Sequence, residues 1–250
     1  MIETQLSEGV FRIVLNRPEK HNAFDAAMIA AISDAVHAIP AEARAVLFSG
    51  NGKSFCAGAD IGYMRKQAES SEEENREDAR KLAHMFEAIS LLPMPTIASV
   101  HGNVFGGGLG IVAACDIAIA SSDARYCFSE VNLGIIPAVI SPYVLRKTGV
   151  AFAKRYFLSG EVFSSATAAA AGLISESVSV ADQAAALEKL LKAVTSAGQP
   201  AQKSAKRLLH AFENFEPFSR DQLIHELVKL RSSEDAQLRM KKFLEKNTRA

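Results

Sequence analysis

The sequence predicts an α/β fold whose last third is helical. Short β-branched runs alternate with stretches of helical periodicity, glycine-rich turns separate them, and beyond residue 137 the pattern is mainly helical. Strands separated by helices imply parallel crossovers. The 250 residues fit one or two domains. A chain of this size buries about 70% of its unfolded surface, so it needs no metal or disulfide staple. We expect an α/β core over residues 1–195 and a helical region over 196–250.

Val10 to Leu15 reads as a strand, closed by the turn Asn16-Arg17-Pro18. Ile29, Ile32, Val36 and Ile39 recur at helical spacing, with Asp25 near the start and Pro40 at the end. Ala45 to Phe48 is a short buried strand, broken by Ser49-Gly50-Asn51-Gly52-Lys53. Glu69 to Arg80 is dense in charge and reads as a solvated helix start with a flexible loop, or as a mobile lid over a substrate tail. Leu82, Met85, Phe86 and Ile89 then form a core-facing helical stripe. Thr96 to Val100 is a strand, Gly107 to Cys115 a helix and Asp116 to Ala120 a strand. Leu223, Leu227 and Leu230 line one late helix, and Leu238, Phe243 and Leu244 mark another.

Composition narrows the function classes. Hydrophobic residues make up 48% and charged residues 22%, which excludes collagen, coiled coil and bulk disorder. Lys+Arg and Asp+Glu both number 28, so no net positive field draws nucleic acid. Cys56, Cys115 and Cys127 form no C-x-x-C pair and suit a reducing cytosol. Met1 to Gln5 lacks the start of a secretory signal, and the longest apolar stretch, Val104 to Cys115, is too short and glycine-rich to span a bilayer. The expectation is a soluble cytoplasmic protein with no membrane or nucleic-acid partner.

Gly106-Gly107-Gly108 lies between a strand and a helix. Each glycine in a helix costs about 1 kcal/mol relative to alanine, so three in a first turn need a reason. Either a ligand approaches bare N–H groups at the helix N-terminus, or the helix packs closely on a strand. Cys56-Ala57-Gly58-Ala59-Asp60 is a second small-residue turn, with Asp60 placed to cap a helix. Two such turns can aim two N–H groups at one oxygen, the arrangement of an oxyanion hole; a simple capped turn is the alternative. Glu130, in Ser129-Glu130-Val131-Asn132-Leu133-Gly134, is either a capping or salt-bridged residue or a tuned acid/base among apolar neighbours.

Other motifs fail. Gly108-Leu109-Gly110 with Ala113 matches the dinucleotide pattern, but it does not follow directly on the strand, and Glu130 lies beyond the next strand's end. No Walker, nucleophile-elbow or H-E-x-x-H motif is present, and no His pairs with Cys at zinc spacing. His101 and Cys56 read as structural.

Together these pieces resemble the crotonase (enoyl-CoA hydratase/isomerase) superfamily. Asn16-Arg17-Pro18-Glu19-Lys20-His21-Asn22-Ala23, Phe55-Cys56-Ala57-Gly58-Ala59-Asp60-Ile61, Pro95-Thr96-Ile97-Ala98 with His101-Gly102-Asn103 and Gly106-Gly107-Gly108, Cys115-Asp116-Ile117, Glu130 with Leu133-Gly134-Ile135-Ile136-Pro137, and Ala171-Gly172-Leu173-Ile174 follow the family's order. The resemblance implies a spiral of ββα units with a helical C-terminal region that builds trimers or stacked trimers. It implies an acyl-CoA substrate and no separate cofactor or metal. It assigns the thioester oxygen to the N–H groups of Ala59 and Gly107, acid/base chemistry to Glu130, and CoA contacts to Ala23, Ala59, Asp60, Ile61, Gly62, Gly107 and, from a neighbouring subunit, Lys246.

Two departures stand out. The family's first hydratase glutamate falls at Gly110, and Pro137-Ala138-Val139-Ile140-Ser141-Pro142-Tyr143 replaces the usual P-G-x-G-G-T. Both resemble the bacterial methylglutaconyl-CoA and carboxygeranoyl-CoA hydratase branch of leucine and acyclic-terpene breakdown. The implied function is hydration of a 2-enoyl-CoA. The alternatives are Δ3,Δ2-enoyl-CoA isomerisation by one glutamate and a weakly catalytic CoA-thioester- or RNA-binding relative. A water in the place of the missing glutamate is expected opposite Glu130. A distal substrate carboxylate would look for its partner among Arg65, Lys66, Arg80, His84 and Tyr143.

Overall fold

The structure is a computed structural model that describes residues 1–213 and, beyond them, residues 224, 228, 232, 237, 240–242 and 245. β1 (Ile2–Ser7) and β2 (Val10–Leu15) pair antiparallel with Ile2 opposite Leu15. β1 is absent from the sequence reading because Glu3, Thr4 and Gln5 are exposed, so no apolar alternation marks it. Asp25 caps α1 (Ala26–His37), its carboxylate accepting from the Met28 N–H at 2.8 Å. Met28, Ile29, Ile32 and Val36 face the core, whereas Ile39 lies past the helix end.

The chain then winds in a spiral. β3 (Ala45–Gly50) lies parallel to β2, and β4 (Ser54–Cys56) opens a second sheet. α2 (Ile61–Glu69) and α3 (Glu72–Leu91) follow. β5 (Thr96–Val100) adds to β3, and β6 (Asn103–Phe105) adds to β4. After α4 (Gly107–Ala114), β7 (Ile117–Ser121) adds to β5 and β8 (Arg125–Cys127) to β6. Each turn thus gives one strand to each sheet, the successive strands pairing parallel. α5 (Ser141–Ser159), β9 (Phe163–Ser164), α6 (Ser165–Ala170), β10 (Glu176–Val178), α7 (Gln183–Ser196) and α8 (Gln199–Glu213) complete the described run. The sheet orders are β1-β2-β3-β5-β7-β10 and β4-β6-β8-β9.

Between Glu69 and Arg80 the expected solvated helix start is found, as the first half of α3, whereas the expected flexible loop is reduced to the short link from α2. A capping box holds its start: the Ser71 hydroxyl accepts from the Glu74 N–H, and the Glu74 carboxylate accepts from the Ser71 N–H. Asn75 is buried and donates to the Gln67 and Ser70 carbonyls, which ties α3 to α2.

Past residue 195, α8 is anchored by an ion pair between the buried Lys206 Nζ and Asp116 Oδ2 at 2.7 Å; the same nitrogen donates to the Met94 carbonyl. Ile224 and Val228 join the main core, and Met240 meets Met64. The leucine and phenylalanine stripes of the tail (Phe215, Phe218, Leu223, Leu227, Leu230, Leu238, Phe243, Leu244) and Lys246 lie outside the described residues. Among the described residues no helix is long and apolar enough to cross a membrane.

Candidate active site

The chain turns at Gly58 (φ 96°) and at Gly106 (φ 45°), conformations that side chains rarely adopt. The two turns lie against each other. A Cβ on Gly106 would stand 3.8 Å from Gly58 Cα and 3.5 Å from Glu130 Oε1. Phe24 supports both turns from behind. Its N–H donates to the Gly58 carbonyl and its carbonyl accepts from the Asp60 N–H, both at 2.7 Å, forming a parallel bridge with Ala59. In that bridge the residues flanking Ala59 face Phe24, so the Ala59 N–H points the other way. Among the described residues it has no acceptor. Gly107 opens α4, and its N–H is one of the groups that no helical bond satisfies.

Both readings of the glycine triplet hold, at different residues. Gly108 is a packing glycine: a Cβ there would meet the Cys56 carbonyl oxygen at 2.6 Å. At Gly107 a Cβ would press on the Phe24 ring at 2.8 Å. The Phe24 backbone therefore holds one turn while its ring braces the other.

Glu130 sits on a short 3-10 helix, Ser129–Leu133. Its Oε2 is buried and makes no hydrogen bond among the described residues. Burial pushes the carboxyl up to about 7, partly opposed by a hydrogen bond from the residue's own backbone N–H. Among the described residues no cation contributes to the shift, so the capping or salt-bridged alternative gives way. A carboxyl near neutrality can both take and give a proton.

The sign of the linked stability effect is definite. The folded value is raised from 4.5 to about 7, so this group's contribution is fully present below about 4.5 and is lost as pH rises toward 7. Glu130→Gln removes the ionisation, so between about pH 4.5 and 8 the stability difference should move in favour of the variant by roughly 3 kcal/mol. Thermal melts from pH 5 to 8 check this: the difference between variant and wild type should shift in that direction with pH, and a constant difference would contradict the burial account.

The place of the missing glutamate is not open space. A Cβ on Gly110 would meet Phe86 Cζ at 2.5 Å and Ile140 Cγ2 at 2.6 Å. The Phe86 ring and Ile140 take the space that a side chain at position 110 would need, so a glutamate there fits only if they move.

Ala59, Gly107 and Glu130 line one cavity of about 140 Å³. Its walls are otherwise mostly apolar, including Phe24, Leu133, Ile135, Val139 and Ile140, and Met240 also lines it. Tyr63 and Gln67 add a second polar patch, the Tyr63 hydroxyl and the Gln67 amide both donating to the Asp78 carboxylate. Sequence reasoning missed this pair, although the i,i+4 spacing of Tyr63 and Gln67 places them on one helix face. A wider cleft of about 880 Å³ between α1, α2 and α3 shares Ile29, Tyr63 and Gln67 with the cavity and also takes in Asp60, Gly62, Lys66 and His84.

The remaining predicted residues disperse. Ala23 is buried and its carbonyl accepts from Arg17. Ile61 is exposed in the first turn of α2. None of Arg65, Lys66, Arg80, His84 or Tyr143 lines the cavity; Arg80 pairs with Glu77, and Tyr143 packs against Phe86. His101 hydrogen-bonds the Gly52 carbonyl, and burial pushes the Cys56 thiol up to about 12, so both are structural.

This spiral and this pair of abutting turns beside a buried carboxyl define a protein class. The Enoyl-CoA hydratase/isomerase family model matches residues 5–249, and the chain belongs to that family. It is 38% identical to an enoyl-CoA hydratase structure from Shewanella pealeana, with a TM-score of 0.83 over 98% of this chain and 93% of that one. It is 34% identical to enoyl-CoA hydratase AKT6-1 of Alternaria alternata over 60% of this chain, which spans 49% of that relative. It is also 34% identical to enoyl-CoA isomerase/hydratase fer4 of Mycosarcoma maydis over 66% of this chain and 64% of that relative.

Proposed function

We propose that this enzyme adds water across the C2=C3 bond of a 2-enoyl-CoA thioester, with Glu130 as its single acid/base. The buried Oε2 of Glu130, unpartnered among the described residues and beside the Gly106 turn, carries the reading. The N–H groups of Ala59 and Gly107 receive the thioester oxygen, and preorganised donors in a water-poor cavity stabilise the enolate charge that collects there. Glu130 as carboxylate takes a proton from the attacking water and then returns one to C2. One group on one face makes the addition syn. The rate should rise with pH through about 7, as the base form appears.

The acyl chain lies along the apolar wall. Isomerisation is the second reading, favoured by the filled position at Gly110, since a 1,3-proton shift needs only one carboxylate. Incubation with crotonyl-, 3-hexenoyl- and 3-methylglutaconyl-CoA separates them. Hydration adds the mass of one water, and isomerisation changes no mass. Absence of hydration of any 2-enoyl-CoA would overturn the first reading.

We also propose a trimer or dimer of trimers, supported by family membership and by exposed apolar residues such as Leu158 and Leu209. Sedimentation at micromolar concentration should give three or six chains; a stable monomer would remove the shared site and the role of Lys246.

A further inference from the structure

We propose that Arg17 is a positioning residue of the oxyanion site, aiming the N–H groups of Ala59 and Gly107 through Phe24. The proposal rests on those two groups being the thioester-oxygen donors.

The Arg17 guanidinium donates to Asp25 Oδ2 at 2.7 Å, to Asp60 Oδ2 at 3.2 Å and to the Ala23 carbonyl at 3.3 Å. Ala23 and Asp25 flank Phe24, and Asp60 follows Ala59. A single planar fork thus grips the chain on both sides of the Phe24–Ala59 bridge. The carboxylates divide their oxygens by task. Asp25 Oδ1 accepts from the Met28 N–H, and Asp60 Oδ1 accepts from the Gly62 and Tyr63 N–H groups, capping α1 and α2. Each Oδ2 is left for Arg17, so the guanidinium joins two helix starts at the point where the bridge forms.

Arg17 is itself held rigidly. Its N–H donates to Asn22 Oδ1 at 2.8 Å, and its carbonyl accepts from the Asn22 N–H at 2.9 Å. Asn22 is fully buried and donates to the Asn51 and Ser54 carbonyls at either end of the turn into β4. The grip therefore runs from that turn through Arg17 to Phe24, whose backbone holds the Ala59 turn and whose ring braces Gly107. Largely buried ion pairs add little net stability on average, which makes positioning the better account of three charges gathered here.

The experiment compares Arg17→Met, Arg17→Lys and Asp60→Asn with wild type. Difference infrared spectra of bound butyryl-CoA labelled with 13C at the thioester carbonyl report the polarisation directly. Wild type should lower the carbonyl frequency relative to free ligand, and Arg17→Met should recover at least half of that shift. The kcat should fall at least about tenfold, a fraction of what losing one whole donor costs, with KM held within about threefold. Arg17→Lys should be intermediate, because an ammonium lacks the fork. The pH midpoint near 7 should not move. A folded Arg17→Met with the wild-type carbonyl frequency and kcat overturns the proposal, whatever its melting temperature. If Arg17→Met fails to fold, Asp60→Asn keeps the α2 cap, weakens the ion pair and decides by the same readout. If wild type itself shows no carbonyl shift, the donor reading falls and the proposal falls with it.

Discussion

Glu130→Gln should bind butyryl-CoA within a few-fold of wild type and lose at least about 10² in kcat, the lower end for general acid–base catalysis. The substitution keeps the shape of a side chain whose Oε2 has no partner to lose among the described residues. It removes the one carboxyl that lines the cavity among the described residues. Hydration and isomerisation both need a proton moved at C2, so both activities should drop together. The pH dependence should vanish as well, because among the described residues no other carboxyl lines the cavity to replace the titration near 7. Titration calorimetry gives the binding arm and single-turnover kinetics the chemical one. A Gln variant that turns over within a few-fold of wild type would place the catalytic group elsewhere.

The second large effect should come from deleting the Gly107 donor. Losing one such N–H typically costs about 10²–10³ in rate. Proline deletes it and suits the first position of a helix. The obstacle is Phe24, whose ring lies 2.8 Å from where a Cβ at 107 would stand. The comparison therefore belongs in a Phe24→Ala background, with Gly107→Ala as the control that carries a Cβ and keeps the N–H. The alanine double variant should match its Phe24→Ala parent, and the proline double variant should fall by about two orders of magnitude in kcat. Equal rates for the two would mean that Gly107 donates nothing to the transition state.

Features set by a few neighbouring residues were legible before the fold was known. Asp25 and Asp60 cap helices where short-range chemistry puts them, and the two glycine turns stand where their composition implies. The charge density from Glu69 to Arg80 marks the solvated helix start correctly, and the Ser71-x-x-Glu74 cap that fixes where it begins also lies within a few residues. What failed depended on distance through the fold. Phe86 reads as a core residue from its stripe; that its ring fills the space above Gly110 follows only once α3 is laid across α4. Tyr63 and Gln67 became visible as a cavity wall only when Asp78 was brought over from α3.

The filled site at Gly110 also limits how this chain can change. A glutamate there drives its Cβ into the Phe86 ring and Ile140 at 2.5 and 2.6 Å, and such overpacking typically costs about 1–3 kcal/mol or more. Cutting Phe86 back first leaves a void in the core, at about 3–5 kcal/mol for Phe to Ala. Each order of steps passes through a weakened protein, and only simultaneous exchange of Gly110, Phe86 and Ile140 avoids it. A glutamate at position 110 is therefore separated from this protein by a stability valley, although a single codon divides them. Directed evolution by single substitutions should stall at position 110, while a library that randomises the three positions together can cross.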